Sequence, residues 1–173
     1  MKSLTLFALL AALVLGSAGE VSATNETQAA VLFLNIRPGA RQAAMGEAYS
    51  AIAEDATAVF YNPAGLAFQD KDKKNIQVMH TNWLPKLAPD LYYEFLGYTQ
   101  YVEGWGHMGL NLVYFNLGEQ NRTNSTGSDI IGTFSSFEMM ASASYGATMT
   151  DNFSLGLSLK AIYSKLADAG QEA

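Results

Sequence analysis

The residues able to do chemistry are few and scattered. His80 and His107 are the only histidines, and neither has a second His, Cys or carboxylate at metal-ligand spacing. The carboxylates stand singly, so no acid–base pair can be nominated. Gly-x-Ser-x-Gly and phosphate-binding glycine loops are missing, and Gly104-x-Gly106 falls in a turn instead of opening a helix. The absence of cysteine excludes disulfides, thiolate metal sites and a lipoprotein anchor. No catalytic, metal-binding or cofactor-binding residue is therefore expected, and the chain is expected not to be an enzyme. A net charge of −6 with no basic patch excludes counterion-driven binding to nucleic acid.

The sequence is informative about elements instead. Lys2 and the apolar run from Leu4 to Leu15, followed by Val21-Ser22-Ala23, have the layout of a cleaved signal peptide over 1–23. As a helix that run is about 18 Å long, short of the roughly 30 Å hydrocarbon core. No later stretch is apolar enough for a transmembrane helix. The mature chain is then either exported and soluble or crosses a membrane as strands.

Residues 24–75 read as a separate N-terminal segment. Val31 to Leu34 form an apolar patch and Arg37-Pro38-Gly39 a breaker. From Arg41 to Ala58 small, helix-prone residues predict a helix whose apolar face is Ala44, Ala48 and Ile52. Tyr61-Asn62-Pro63-Ala64-Gly65 ends it, since a residue before proline leaves the helical region and Pro-x-Gly closes a turn. Arg41, Glu47, Glu54 and Asp55 are either solvated or paired with groups such as Glu138 or Lys160.

After Asn75 the period becomes two. Phe153, Leu155, Leu157, Leu159 and Ala161 alternate with Ser154, Gly156, Ser158 and Lys160. Phe137 to Met149 repeat the pattern, with Met140 as an exception, and Met108 to Tyr114 alternate likewise. Residues 91–102 alternate less cleanly, and 76–84 are strand-like with ambiguous facing. These are about five strands near the nine to eleven residues of a membrane-crossing strand, longer than the usual five or six. Only 15% of residues are charged, which suits a lipid-facing surface. The connections alternate too: tight turns at 103–106 and 150–152, a loop at 84–90 and a long polar loop over 117–132. Trp83, Tyr92, Tyr93, Trp105 and Tyr163 fall near strand ends, where an aromatic girdle belongs.

The expected fold is an all-β, antiparallel transmembrane β-barrel with a small N-terminal helical hatch. Residues 76–173 supply its first strands, because five strands cannot close in lipid. The competing architecture, a periplasmic β-sandwich, would have shorter strands. The polar face of such a barrel looks inward, which makes Glu94, Glu138, Ser142 and Lys160, with the apolar Met140, candidate lumen-facing residues.

The stretch Arg37–Ala67 contains Gly39-Ala40-Arg41, Met45-Gly46-x-Ala48, Glu54-Asp55-Ala56 and Asn62-Pro63-Ala64-Gly65-Leu66. It resembles the N-terminal signature of the PorV/PorQ family, outer-membrane barrels similar to the FadL long-chain fatty-acid transporters. The run Gly156 to Ala167 looks like a strand of the same family. The resemblance implies a hatch folded into the lumen, with Arg41, Met45, Gly46, Ala48, Asn62, Pro63, Ala64, Gly65 and Leu66 as its structural or gating motif. It implies an outer-membrane location, outer-membrane lipid around the barrel, and a role in type IX secretion with exported cargo and other secretion components as partners. A FadL-like channel for hydrophobic small molecules is the alternative, with Met140 and Ile162 lining the path.

Overall fold

Alternation of apolar and polar residues builds five strands in chain order. They are β1 (Asn75–Asn82), β2 (Tyr92–Val102), β3 (Gly106–Thr123), β4 (Ile130–Thr150) and β5 (Phe153–Lys165). In this computed structural model, which describes residues 31–86, 88–123 and 129–166, they form one antiparallel sheet, β1-β2-β3-β4-β5, with β1 and β5 at its edges. The expected signal peptide lies outside the described residues. From Phe33 onward the described residues belong to one compact unit. No described helix is long and apolar enough to cross a membrane.

Register gives the two faces different jobs. On one face lie Ile76 and Val78, Leu96 and Tyr98, Leu110 and Leu112, Ala141 and Ala143, and Leu159 and Ala161, side by side across the strands. Most of these large side chains are exposed, Leu159 to 78%. Toward one end of this exposed face the rings of His80, Tyr92, Tyr114, Phe137 and Tyr163 form an unbroken row, with successive centroids 5.9, 6.1, 5.6 and 5.8 Å apart. The opposite face carries the N-terminal segment. Tyr93 points there and is fully buried, so it is not part of the girdle its strand-end position suggested.

Two expected elements differ. The helix over 41–58 is instead α1 (Ala40–Ala44), a run of turns, and α2 (Ala58–Tyr61), followed by a 3-10 helix over Pro63–Phe68. Gly46 stops α1 at a left-handed φ of 62°. Its N–H bonds to Ala43 O and that of Glu47 to Gln42 O, the paired bonds of a glycine C-terminal cap. Ala44, Ala48 and Ile52 are consequently exposed, while Gln42, Tyr49 and Ala53 are buried.

The long loop over 117–132 is also shorter than its composition suggests. β3 runs on to Thr123 and β4 begins at Ile130, with a register shift between Asn116 and Glu119. Water on both sides of this extension leaves no apolar alternation to mark it as strand. Asp90 holds the irregularity. Its carboxylate accepts from Glu119 N at 2.8 Å, its carbonyl accepts from Asn116 Nδ2 at 2.7 Å, and Gly118 leaves no Cβ to strike it.

Candidate functional site

The site is where residues 33–69 of the N-terminal segment expected to be a hatch, called the hatch below, seat on the sheet face opposite the aromatic row. Gly97, Gly109, Gly146 and Gly156 stand on four successive strands and all open toward it. A Cβ added at each would lie 2.9 Å from Ala56 O, 2.3 Å from Val59 Cγ2, 2.7 Å from Pro63 O and 2.2 Å from Ala64 N. The four strands thus lack side chains where the hatch comes closest to the sheet. Gly65 serves the same end inside the hatch, where a Cβ would meet Ala53 O at 2.6 Å.

Hydroxyls flank this track and bond to hatch carbonyls. Ser154 Oγ donates to Ala64 O at 2.9 Å, Thr148 Oγ1 to Ala67 O at 3.2 Å and Ser144 Oγ to Val59 O at 3.5 Å. Asn62 caps the 3-10 helix: its Oδ1 accepts from Ala64 N at 3.1 Å, while its Nδ2 donates to Ser50 O at 2.9 Å. Pro63 follows at the first helical position, where its missing N–H costs nothing. Leu66 is fully buried with Tyr49, Ala53, Ala58 and Val59.

A buried polar chain ties hatch to strands. Gln42 Nε2 donates to Thr57 Oγ1 at 2.8 Å, and Thr57 Oγ1 donates to Asp55 Oδ1 at 2.5 Å. Gln69 Nε2 donates to Asp55 O at 2.8 Å, and Gln69 Oε1 accepts from Thr99 Oγ1 at 2.7 Å and from Asn75 Nδ2 at 3.1 Å. Gln69 therefore bridges hatch, β1 and β2. It gives no sequence signal beyond being a glutamine after an apolar pair. Farther along, Tyr93 Oη donates to Ile36 O at 3.1 Å, and Gly39 N to Met79 Sδ at 3.1 Å.

The hatch charges pair within the hatch, not with Glu138 or Lys160. Arg41 meets Glu54 at 2.7 Å and Arg37 meets Glu47 at 3.0 Å. The hydrogen bond from Arg41 to Glu54 raises the guanidinium pKa, and Arg41 also stacks 5.5 Å over the Tyr49 ring. Burial pushes the Tyr61 phenol up to about 12, and its hydroxyl donates to Pro38 O at 2.9 Å. The Asp72 backbone N–H holds the Asp70 carboxyl below its usual range.

The expected motif splits in two. Asn62, Pro63, Ala64, Gly65 and Leu66 form the docked turn. Arg41, within α1, and Met45, Gly46 and Ala48, just past its end, lie exposed and do not touch the glycine track. Among the inward candidates, Glu138, Met140, Ser142 and Lys160 share the hatch face. Glu138 accepts from Ser164 Oγ at 2.9 Å, Ser142 Oγ donates to Asn111 Oδ1 at 2.8 Å, and Lys160 Nζ sits 5.7 Å over the Phe60 ring. Glu94 does not belong there. Its register partners are His80 and Tyr114 on the outward face, where it pairs with His80 Nδ1 at 2.7 Å beside the aromatic row. Its polarity suggested the lumen, but the pairing with His80 holds it on the face opposite the hatch. His107 is on the hatch side, so the two histidines occupy opposite faces.

The model of the type IX secretion system protein PorV matches residues 20–173. No curated protein and no solved structure matches the chain. The match takes in the hatch, the docked turn and all five strands, and the chain belongs to the PorV family of outer-membrane-associated type IX secretion proteins.

Proposed function

We propose that these residues form the hatch and first strands of a closed outer-membrane β-barrel that receives exported cargo proteins in type IX secretion and has no catalytic activity of its own. The division of the sheet into an outward apolar face with an aromatic row and an inward face carrying the hatch is the observation that supports the barrel reading. It is the arrangement a strand needs when lipid is on one side and a lumen on the other. Unpaired edges at β1 and β5 would leave backbone groups unsatisfied in hydrocarbon, so further strands must complete the ring. Cargo handling rests on the family alone. The hatch, held by hydroxyls, a polar chain and backbone-to-glycine contact, would close the lumen from within.

The test is affinity purification of the full-length protein from outer membranes. Co-purification of secreted proteins that share a C-terminal domain is expected. Recovery of lumenal lipid-like ligand with no such cargo would favour the second reading, a channel for hydrophobic molecules. The inward-facing pair Met140 and Ile162, partnered in register, is the apolar spot that reading would use.

A further inference from the structure

Buried polar atoms in a folded chain nearly all have a hydrogen-bond partner. Among the described residues, three buried side-chain atoms have none in the protein: Gln42 Oε1, Asn111 Nδ2 and His107 Nε2. All three belong to the hatch or to its seat. Gln42 lies inside the hatch, while Asn111 and His107 lie on β3 beneath it, 3% and 2% exposed. Asn111 is paired in register with Gly97, where an added Cβ would lie 2.9 Å from Ala56 O. His107 is paired with Gly146, where an added Cβ would lie 3.0 Å from Ala67 N. The sheet therefore holds one unpaired polar group under each end of the segment 56–67.

Their neighbours do not satisfy them. Asn111 Oδ1 accepts from Ser142 Oγ at 2.8 Å, which leaves the two N–H bonds of Nδ2 without an acceptor. The His107 ring meets the Tyr101 ring, with centroids 5.1 Å apart. The hatch is also held in a disfavoured backbone conformation. Ala53 is buried at a φ of 27°, where L side chains are rare, and its carbonyl lies against Gly65 of the docked turn. Leaving a buried donor or acceptor unpaired costs free energy that water would return on exposure. That cost falls on the closed position of the hatch.

Resting on the hatch reading, we propose that Asn111 and His107 form a release device: held unpaired under the closed hatch, they gain water when it lifts, so the hatch is a strap poised to open. The glycine track, the flanking hydroxyls and Gln69 hold it shut. The two unpaired groups set how often it opens.

Amide exchange of the full-length protein tests this, with β2 and β4 as internal references. Asn111→Val combined with Ser142→Ala removes the amide and its hydroxyl partner together, so neither is left alone. Exchange over 56–61 should slow by about five-fold or more. Ser142→Ala by itself strands Asn111 Oδ1 as well and should speed the same exchange. His107→Phe keeps a ring against Tyr101 and should slow exchange over 66–70; it acts at the other end of the segment, so it decides the matter even where the first variant also frees the sheet amides. Unchanged or faster exchange in Asn111→Val/Ser142→Ala and in His107→Phe, with sheet amides as in the wild type, would overturn the release device while leaving the hatch standing. Wild-type exchange over 56–70 as fast as in an unstructured chain would overturn the hatch and the device together.

Discussion

Gly156→Ala is the sharpest perturbation of the hatch seat. The new Cβ would lie 2.2 Å from Ala64 N and 2.4 Å from the Pro63 carbonyl carbon. Both are backbone atoms, so no side chain can rotate aside, and the docked turn must lift by about 1 Å to reach ordinary contact at 3.4 Å. Overpacking of this kind costs about 1–3 kcal/mol. The lift also strains the bond from Ser154 Oγ to Ala64 O, a contribution of about 0.5–1.5 kcal/mol. Reduced freedom of the unfolded chain returns about 0.4–1 kcal/mol. The net is about 2 kcal/mol, enough to raise local opening by about 30-fold. Amide exchange across 58–69 reads this directly, with β2 and β3 as internal references. Gly132→Ala, where nothing lies within 4 Å of the added carbon, is the neutral control. If Gly156→Ala and Gly132→Ala gave the same exchange over 58–69, the close approach of hatch to glycine would be wrong.

Three further predictions concern the same contact. Gln69→Leu should loosen the hatch by about 1–3 kcal/mol, because Thr99 Oγ1 and Asp55 O lose a partner inside the protein; faster proteolysis between residues 60 and 75 with an intact sheet is the expected readout. Tyr61 titrates higher in the folded chain, at about 12, than its ordinary value of 10.0. Its contribution is therefore complete below pH 10 and disappears as pH rises from 10 toward 12, and Tyr61→Phe should flatten hatch proteolysis across that window. Pro63→Ala combined with Gly65→Ala releases the preset first turn and collides with Ala53 O, so it should open the plug and raise single-channel conductance of the full-length protein in a planar bilayer.

The sheet was legible because one of its faces is apolar. Phe153 to Ala161 and Phe137 to Met149 each show a period of two, and their register follows the alternation closely. The signal vanished where water touches both faces, which hid the extension of β3 past Asn116. Helix propensity misled over 41–58 for a different reason. Alanine favours helix, but Gly46 and the burial of Gln42 and Tyr49 outweighed that weak preference. The Gly46 cap was readable in principle. Gln69, Thr99 and the glycine track were not, since each gains meaning only from a partner far along the chain. Glu94 shows the limit of reading polarity as direction: its neighbour across the strands, His80, decided its face.

The central claim is that one sheet face meets lipid and the other meets the hatch. Residues 1–173 contain no cysteine, so single cysteines introduced into them can report each face. In full-length protein in native outer membranes, Leu112→Cys and Leu159→Cys should resist a water-soluble maleimide and react with a lipid-soluble one. Lys86→Cys, in the exposed β1–β2 connection, should react with both. Ser144→Cys, under the hatch, should become reactive to the water-soluble reagent only when Gly156→Ala lifts the docked turn. Rapid labelling of Leu112→Cys and Leu159→Cys from water would contradict a lipid-facing sheet.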